Sequence, residues 1–139
     1  MEIRSFYEAD AEDVIALWRA AGLLHLNNDP RRDINRKTSD SPWGFLVLTE
    51  NDEIIGSVMV GYDGHRGWIN YLACHPDHQR KGVGTALMTR ARELLLDRGC
   101  PKINLQVRSG NDAAIGFYES IGYTDDSVTS LGLRLIPDN

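Results

Sequence analysis

The sequence contains few cysteines and no long hydrophobic run. Its two cysteines, Cys74 and Cys100, form neither a CxxC pair nor the spacing of a disulfide framework. The longest apolar stretches, such as Val14–Trp18, are far shorter than the roughly 20 residues of a membrane-spanning helix. The N-terminus Met1–Arg4 has no basic region followed by an apolar stretch, so no signal peptide is predicted. We therefore expect a cytoplasmic protein with reduced thiols and no membrane association.

Positive charge is also scarce. The chain has 15 Lys and Arg against 20 Asp and Glu, which gives a formal net charge of −5. A general nucleic-acid binder needs a basic surface for the phosphate backbone, so no nucleic-acid partner is predicted. No repeat, low-complexity tract or Pro/Gly/Ser linker interrupts the sequence, and its 139 residues suit one domain spanning 1–139.

Hydrophobic periodicity predicts short strands alternating with amphipathic helices. The predicted strands are Glu2–Phe6, Trp43–Thr49, Ile54–Val60, Trp68–Cys74, Ile103–Val107 and one or two weaker strands within Tyr123–Leu135. The predicted helices run from the cap Asp10 to Gly22, over Arg31–Thr38, over Gly82–Arg98, and from the cap Asn111 to Gly122. This order indicates an α+β fold in which helices pack on a mixed sheet.

The segment Gln79–Thr85 joins a predicted buried strand to the start of the clearest helix. Helix starts carry unpaired N–H groups and a partial positive charge, so acidic side chains normally collect there. This start has Arg80 and Lys81 instead, while Gly82 and Gly84 lack a Cβ that would keep a ligand from the backbone amides. Amides, cations and glycines together predict a site for a phosphate or pyrophosphate, although a solvated glycine loop is the alternative interpretation.

Two common nucleotide motifs do not fit this segment. A Walker loop needs G-x-x-x-x-G-K-[ST], which does not occur. The dinucleotide fingerprint G-x-G-x-x-G would need glycine at position 87, where the chain has Leu87.

The motif Gln79-x-x-Gly82-x-Gly84, placed after a strand, resembles the acetyl-CoA signature of the GCN5-related N-acetyltransferase (GNAT) superfamily. The segments Leu105-x-Val107, Asn111-x-x-Ala114 and Phe117–Tyr123 are similar to that superfamily's second signature. Asn28-Asp29-Pro30 and Gly61–Gly67 resemble its small stand-alone bacterial members of the YpeA type. The resemblance covers essentially the whole chain. It implies a mixed, mostly antiparallel sheet of 6–7 strands with about four helices, splayed at the acetyl-CoA site.

The resemblance also implies roles for individual residues. The backbone of Leu72, Ala73 and Cys74 would pair with the pantetheine arm of acetyl-CoA. The pyrophosphate would be held by backbone amides from Arg80 to Thr85, with charge added by Arg80 and Lys81; the segment consists of Gln79, Arg80, Lys81, Gly82, Val83, Gly84 and Thr85. Asn111 would reach the coenzyme as well as cap its helix, where capping alone is the alternative.

Tyr118 corresponds to the residue that many relatives use as general acid toward the departing CoA thiolate, while a core tyrosine is the alternative. The general base stays open. Many relatives use a glutamate on the strand before the coenzyme loop, but Trp68–Cys74 contains no carboxylate. The candidates are His65, Asp63, Glu119 and a water chain bound by Asn70 and the backbone.

The acceptor side is expected to be lined by the loop between the first two helices and by the strand before the coenzyme loop. The candidate substrate-binding residues are Asn28, Asp29, Asp63, His65 and Asn70. Cys74 is interpreted as a packing residue, because direct transfer needs no acyl-enzyme. His75-Pro76-Asp77-His78 offers two imidazoles and one carboxylate with no second cluster to complete a site, so no metal is predicted.

Two functions follow from this resemblance. The first is an acetyl-CoA-dependent N-acetyltransferase in which a primary amine, on a small molecule or a protein, attacks the thioester directly. The second is a catalytically weak acyl-CoA-binding regulatory module, suggested by the missing strand carboxylate. Many relatives are dimers, so a homodimer is the analogous case, but the sequence leaves the oligomeric state open.

Overall fold

The computed structural model describes residues 1–138 and shows an α+β fold built on one five-stranded sheet. The strands are β1 (Glu2–Ser5), β2 (Phe45–Glu50), β3 (Glu53–Tyr62), β4 (Gly67–Cys74) and β5 (Ile103–Leu105). The helices are α1 (Ala11–Ala20), α2 (Pro30–Asp40), α3 (Val83–Asp97) and α4 (Asp112–Ser120), with short 3₁₀ turns at Glu8–Asp10, Pro42–Gly44 and Pro76–His78. None of these helices is both long and apolar enough to cross a membrane.

The sheet is mostly antiparallel, as predicted. Strands β1 to β4 pair antiparallel in chain order, and β4 pairs with β5 in parallel. A parallel pair needs a long crossover connection, which α3 supplies. The parallel pairing begins at Gly67 opposite Ile103 and ends at Ile69 opposite Leu105, whereas β4 continues to Cys74. The two strands therefore part beyond Ile69 and leave one edge of β4 free of β5.

Two hydrophobic cores lie on opposite faces of the sheet. The first packs α3 on the sheet through Leu87, Ala91 and Leu95, and Phe117 and Tyr118 of α4 pack against it. The second packs α1 and α2 on the other face through Trp18 and Ile34, among others. The helical spacing of the apolar residues in α1 and α3 predicted which faces of these helices are buried.

Several boundaries differ from the predicted ones. Helix α2 begins one residue early because Asp29 caps it by accepting a hydrogen bond from Arg32 N–H at 3.1 Å, with Pro30 in the first turn. Asp10 precedes α1, but its side chain does not cap that helix. The Asp10 carboxylate instead accepts two hydrogen bonds from the Arg4 guanidinium, at 2.8 and 3.0 Å, which ties it to β1.

The expectation of 6–7 strands is wrong, because residues 123–138 contain no strand. A strand needs a neighbour to complete its ladder, and β5 offers an edge of only three residues. The tail is held instead by side chains, with an ion pair from Lys102 to Asp126 at 2.7 Å. Leu131, Leu133 and Leu135, whose alternation suggested a strand, are 85–90% exposed.

A β-bulge interrupts the pairing of β3 with β4. The register shifts between Ser57, opposite Ala73, and Met59, opposite Asn70, so β4 has one extra residue there. Tyr71 lies in this bulge with a left-handed φ of 50°, which is uncommon for a residue other than glycine. The Ser57 hydroxyl accepts a hydrogen bond from Trp18 Nε1–H and donates one to Tyr71 O, both at 2.9 Å. The fully buried Ser57 thus fixes the bulge to α1.

Replacing Ser57 by alanine is expected to lower the free energy of unfolding by about 2–3 kcal/mol, because it leaves the buried Trp18 indole N–H and the partly buried Tyr71 carbonyl without this partner. Urea denaturation measures this loss. Ser39→Ala, at an exposed position of α2, is the matched control and should change stability by less than about 0.5 kcal/mol. If Ser57→Ala cost no more than the control, the hydroxyl would not hold the bulge.

Candidate active site

The free edge of β4 begins where β5 ends. Beyond Ile69, the backbone of Ala73 and Cys74 pairs with β3 on one side, Leu72 lies in the bulge, and none of the three is paired with β5 on the other side. Ala73 is buried in the core beneath α1, while Leu72 and Cys74 pack toward α3. This extended backbone can form hydrogen bonds with an extended ligand entering between the strands.

The loop after β4 brings the start of α3 to the same edge. Gln79 leaves the Pro76–His78 turn in an extended conformation, and both Arg80 and Gly82 have left-handed φ values, of 66° and 79°. The first helical hydrogen bond runs from Ala86 N–H to Gly82 O at 2.9 Å. Within residues 1–138, the N–H groups of Val83, Gly84 and Thr85 therefore have no acceptor, and no acidic side chain lies in this first turn. These amides can bind an anion.

The two cations of this loop have different surroundings. Arg80 is exposed and forms no ion pair with the described residues. Lys81 Nζ lies 3.3 Å from Glu50 Oε2, and His78 Nδ1 lies 3.3 Å from the same oxygen. The hydrogen bond from Lys81 lowers the pKa of the Glu50 carboxyl group. Part of the Lys81 charge is thus balanced within the protein, whereas the Arg80 guanidinium is available to a ligand.

The structure favours glycine at positions 82 and 84 for different reasons. A Cβ on Gly82 would meet nothing within 4 Å, so the structure favours glycine there because of its left-handed φ of 79°. A Cβ on Gly84 would lie 3.0 Å from the Phe117 ring. Gly84 therefore lets α4 pack closely on the start of α3, a reason that the sequence prediction did not include.

Helix α4 contacts the start of α3 through Phe117 and carries the two other predicted residues, Asn111 and Tyr118. The Asn111 side chain caps α4 by accepting a hydrogen bond from Ala114 N–H at 3.1 Å. The Tyr118 ring makes edge contacts with Phe117 and Tyr123, at centroid distances of 5.2 and 5.7 Å. Among residues 1–138, no group forms a hydrogen bond with the Tyr118 hydroxyl, which leaves this O–H free for a ligand. Burial, with a smaller effect of Tyr123, raises the pKa of Tyr118 to about 12.

Cys74 fits the packing role. Its Sγ lies 3.5 Å from the carbonyl oxygens of His75 and His78, and burial raises the pKa of its thiol, which disfavours the thiolate. In the part of the chain that the structure describes, no group of three or more His, Cys, Asp and Glu side chains is arranged to hold a metal ion.

Two of the candidate acceptor residues lie far from the free edge of β4. Asp63 and His65 belong to the turn between β3 and β4, at the opposite end of β4 from Cys74. The Asp63 carboxylate accepts hydrogen bonds from the N–H groups of His65 and Arg66, at 2.8 and 2.7 Å, and these lower its pKa to about 2. The structure therefore does not bring these two residues together with Leu72–Cys74.

The candidates in the α1–α2 loop contact the C-terminal tail. Asn28 Oδ1 accepts a hydrogen bond from Arg134 at 2.8 Å, and Asp29 N–H donates one to Asp138 at 3.4 Å. Asp138 in turn accepts two hydrogen bonds from Arg36 of α2, at 2.9 and 2.8 Å. Asn70 is exposed on the free edge of β4, and Glu119 is exposed on α4. Of the five acceptor candidates, Asn70 alone is on the segment of β4 that β5 leaves free.

Sequence reasoning missed one pair at this edge. The Tyr71 hydroxyl donates a hydrogen bond of 2.6 Å to Asp33 Oδ2, which joins β4 to α2 across 38 residues of sequence. The Tyr71 ring stacks on Trp18 with a centroid distance of 3.9 Å. Periodicity could not find this contact, because it depends on the bulge that turns Tyr71 toward α1 and α2.

Comparison with known proteins agrees with this fold. The model of the "Acetyltransferase (GNAT) family" matches residues 4–123. The chain is 51% identical over 138 residues to an acetyltransferase of Pectobacterium atrosepticum, covering 99% of this chain and 98% of that protein. It is 50% identical over 138 residues to an acetyltransferase of Yersinia pestis, with the same coverage. The chain therefore belongs to the GNAT family of acetyltransferases and is an acyltransferase of the N-acetyltransferase type.

Solved structures show the same fold. The ribosomal-protein-S18-alanine N-acetyltransferase of Escherichia coli superposes with a TM-score of 0.74 at 24% identity, over 87% of this chain and 76% of that one. An aminoglycoside 6′-N-acetyltransferase of Acinetobacter haemolyticus superposes with a TM-score of 0.77 at 15% identity, over 98% and 100% of the two chains.

Proposed function

We propose that this protein transfers an acetyl group from acetyl-CoA to a primary amine of a small molecule or a protein, by direct attack of the amine on the thioester. One observation carries the proposal. The free edge of β4 leads directly into a helix start whose unpaired amides, left-handed Gly82 and exposed Arg80 together suit a pyrophosphate. In acetyl-CoA the extended pantetheine arm is joined to a pyrophosphate, so the arm would lie along the free edge of β4 and the pyrophosphate at the start of α3.

The residues divide between holding the coenzyme and promoting the reaction. The backbone of Leu72–Cys74 binds the pantetheine amides, and the amides of Val83–Thr85 bind the pyrophosphate. When bound, acetyl-CoA would supply the thioester: the neutral amine forms the new C–N bond as the C–S bond breaks, and the proton that the nitrogen loses balances the one that the departing CoA thiolate gains. Tyr118 donates its O–H to that thiolate. Because its pKa is about 12, Tyr118 keeps its proton throughout the neutral range.

Calorimetric titration of the purified protein with acetyl-CoA, CoA and NADH tests the binding step. We expect micromolar binding of acetyl-CoA and CoA and none of NADH, because the loop lacks the dinucleotide fingerprint. Release of free thiol on addition of primary amines then tests transfer. Failure of both CoA species to bind would overturn the assignment of the Gln79–Thr85 loop.

A further inference from the structure

An unexplained pair of side chains lies beside the proposed thioester site. Tyr71 directly precedes Leu72, at the point where β5 has left the sheet, and its hydroxyl donates to Asp33 of α2. Neither residue takes part in binding the coenzyme or in the role proposed for Tyr118. Both contribute to the face of the sheet that α1 and α2 cover, opposite α3.

Tyr71 is held in place more firmly than packing alone would need. Its backbone has a left-handed φ of 50°, a conformation that costs about 1 kcal/mol or more in a non-glycine residue. The Ser57 hydroxyl donates a hydrogen bond to its carbonyl oxygen, Trp18 stacks on its ring, and Asp33 accepts a hydrogen bond from its hydroxyl group. Three separate elements thus fix the phenol oxygen at one position. A neutral phenol that donates to a carboxylate still has lone pairs that can accept a hydrogen bond from an ammonium.

Asp33 retains capacity for a cation. Its side chain is 26% exposed, and its Oδ1 lies 3.3 Å from Arg36 Nη1. Arg36 is also bound through both terminal nitrogens to Asp138, whose side chain is 1% exposed. Arg32 lies 3.5 Å from Asp138 and 3.8 Å from Asp29, so these two guanidiniums are shared among three carboxylates. The Asp33 charge is therefore only partly balanced within residues 1–138. A carboxylate has about four lone-pair sites, which leaves room for an ammonium beside its two partners.

We propose that Asp33 and Tyr71 form the acceptor subsite and select cationic primary amines. This inference rests on the proposed acetyl transfer and names the acceptor class. The ammonium donates hydrogen bonds to Tyr71 Oη and Asp33, which hold the nitrogen beside the free edge of β4. It gives one proton to solvent water before the attack, because only the neutral amine has a lone pair. Asn70 lies on the same face, because its partner Met59 belongs to the core beneath α1. The subsite therefore combines one carboxylate, one phenol and one exposed amide.

The test compares cationic and neutral acceptors. Spermidine, lysine amide and benzylamine carry a positive charge at neutral pH, whereas aniline, close in size to benzylamine, is neutral. For cationic amines that wild type acetylates, Asp33→Asn should lower kcat/KM about tenfold or more, chiefly through KM, because a charged hydrogen bond is lost. The value for aniline should change less than about twofold, as should the affinity for acetyl-CoA measured by calorimetry.

Three further variants test whether the Tyr71 hydroxyl and the Asp33 charge are responsible for the preference for cations. Tyr71→Phe retains the stack on Trp18 and removes only the hydroxyl, so it should reduce the preference for cations by a smaller factor. Asp33→Glu should restore part of that preference. Asp13→Asn removes one charge from an exposed position of α1 and is the matched control, with no expected change.

The possible results distinguish an error in the cation subsite from an error in the proposed acetyl transfer. If wild type binds acetyl-CoA but acetylates only neutral amines, or none of the panel, the cation subsite is wrong. If Asp33→Asn lowers the values for benzylamine and aniline equally, the residue is structural and the inference fails while acetyl transfer stands. Loss of acetyl-CoA binding by wild type would instead overturn the proposed function itself.

Discussion

Tyr118→Phe is expected to lower kcat about tenfold or more while the dissociation constant for acetyl-CoA changes less than about twofold. The substitution removes the O–H donor to the departing thiolate and keeps the ring that packs against Phe117 and Tyr123. Because the Tyr118 hydroxyl has no partner among the described residues, its removal breaks no internal hydrogen bond. Steady-state kinetics and calorimetry on the same preparations separate the two quantities.

Tyr123→Phe is the matched control. Tyr123 is a second tyrosine of the same aromatic cluster, and burial raises the pKa of its hydroxyl group as well. We expect kcat to change less than about twofold in this variant. If both variants kept wild-type kcat, Tyr118 would be a packing residue and the assignment of the acid would be wrong.

The pKa of Tyr118 has a consequence for stability. A tyrosine whose pKa is higher in the folded protein than in the unfolded chain favours folding while it is protonated in both states. This contribution is complete below the unfolded pKa of about 10 and is lost as the pH rises toward about 12, the folded value. Ionisation of Tyr118 should therefore not limit the activity at neutral pH.

Gly82→Val is expected to weaken acetyl-CoA binding about tenfold to a hundredfold, which corresponds to the loss of one charge-assisted hydrogen bond or two. Gly82 has a φ of 79°, which a β-branched residue adopts only with strain, and a side chain there would stand at the helix start proposed to bind the pyrophosphate. Calorimetric titration of the folded variant with acetyl-CoA measures the effect.

Gly22→Val separates this local effect from backbone strain. Gly22 follows α1, has a φ of 75° and likewise has open space around its missing Cβ. Both variants should lose similar stability on thermal unfolding, but only Gly82→Val should lose affinity for the coenzyme. Equal affinities of the two variants would show that the loop at Gly82 does not bind the pyrophosphate.

Much of the structure around the proposed coenzyme site could be predicted because its signals are local in sequence. The start of α3, the missing acids in its first turn and the cap Asn111 of α4 each depend on residues within one turn of a helix. The two layers on the sheet follow from helical spacing and strand alternation. The role of Gly84 needed the structure, because it depends on the Phe117 ring from α4.

The acceptor side could not be predicted in the same way, because long-range contacts build it. The bulge at Tyr71 depends on Ser57 and Trp18, and the partner of Tyr71 comes from α2. Asp63 and His65 were natural candidates from their residue types, but the hairpin turn places them at the other end of β4. The strands predicted in the tail are absent because a sequence pattern cannot show whether a neighbouring strand is available for pairing.

The sheet separates the residues proposed for the coenzyme from those proposed for the acceptor. The surface proposed for the coenzyme uses the β4 backbone and the α3 and α4 layer, whereas Asp33 belongs to α2 in the opposite layer. Side chains on α2 can therefore be replaced without repacking the core beneath α3. On this proposal, a change of acceptor needs substitutions in one layer only, while the coenzyme surface in the other layer keeps its packing.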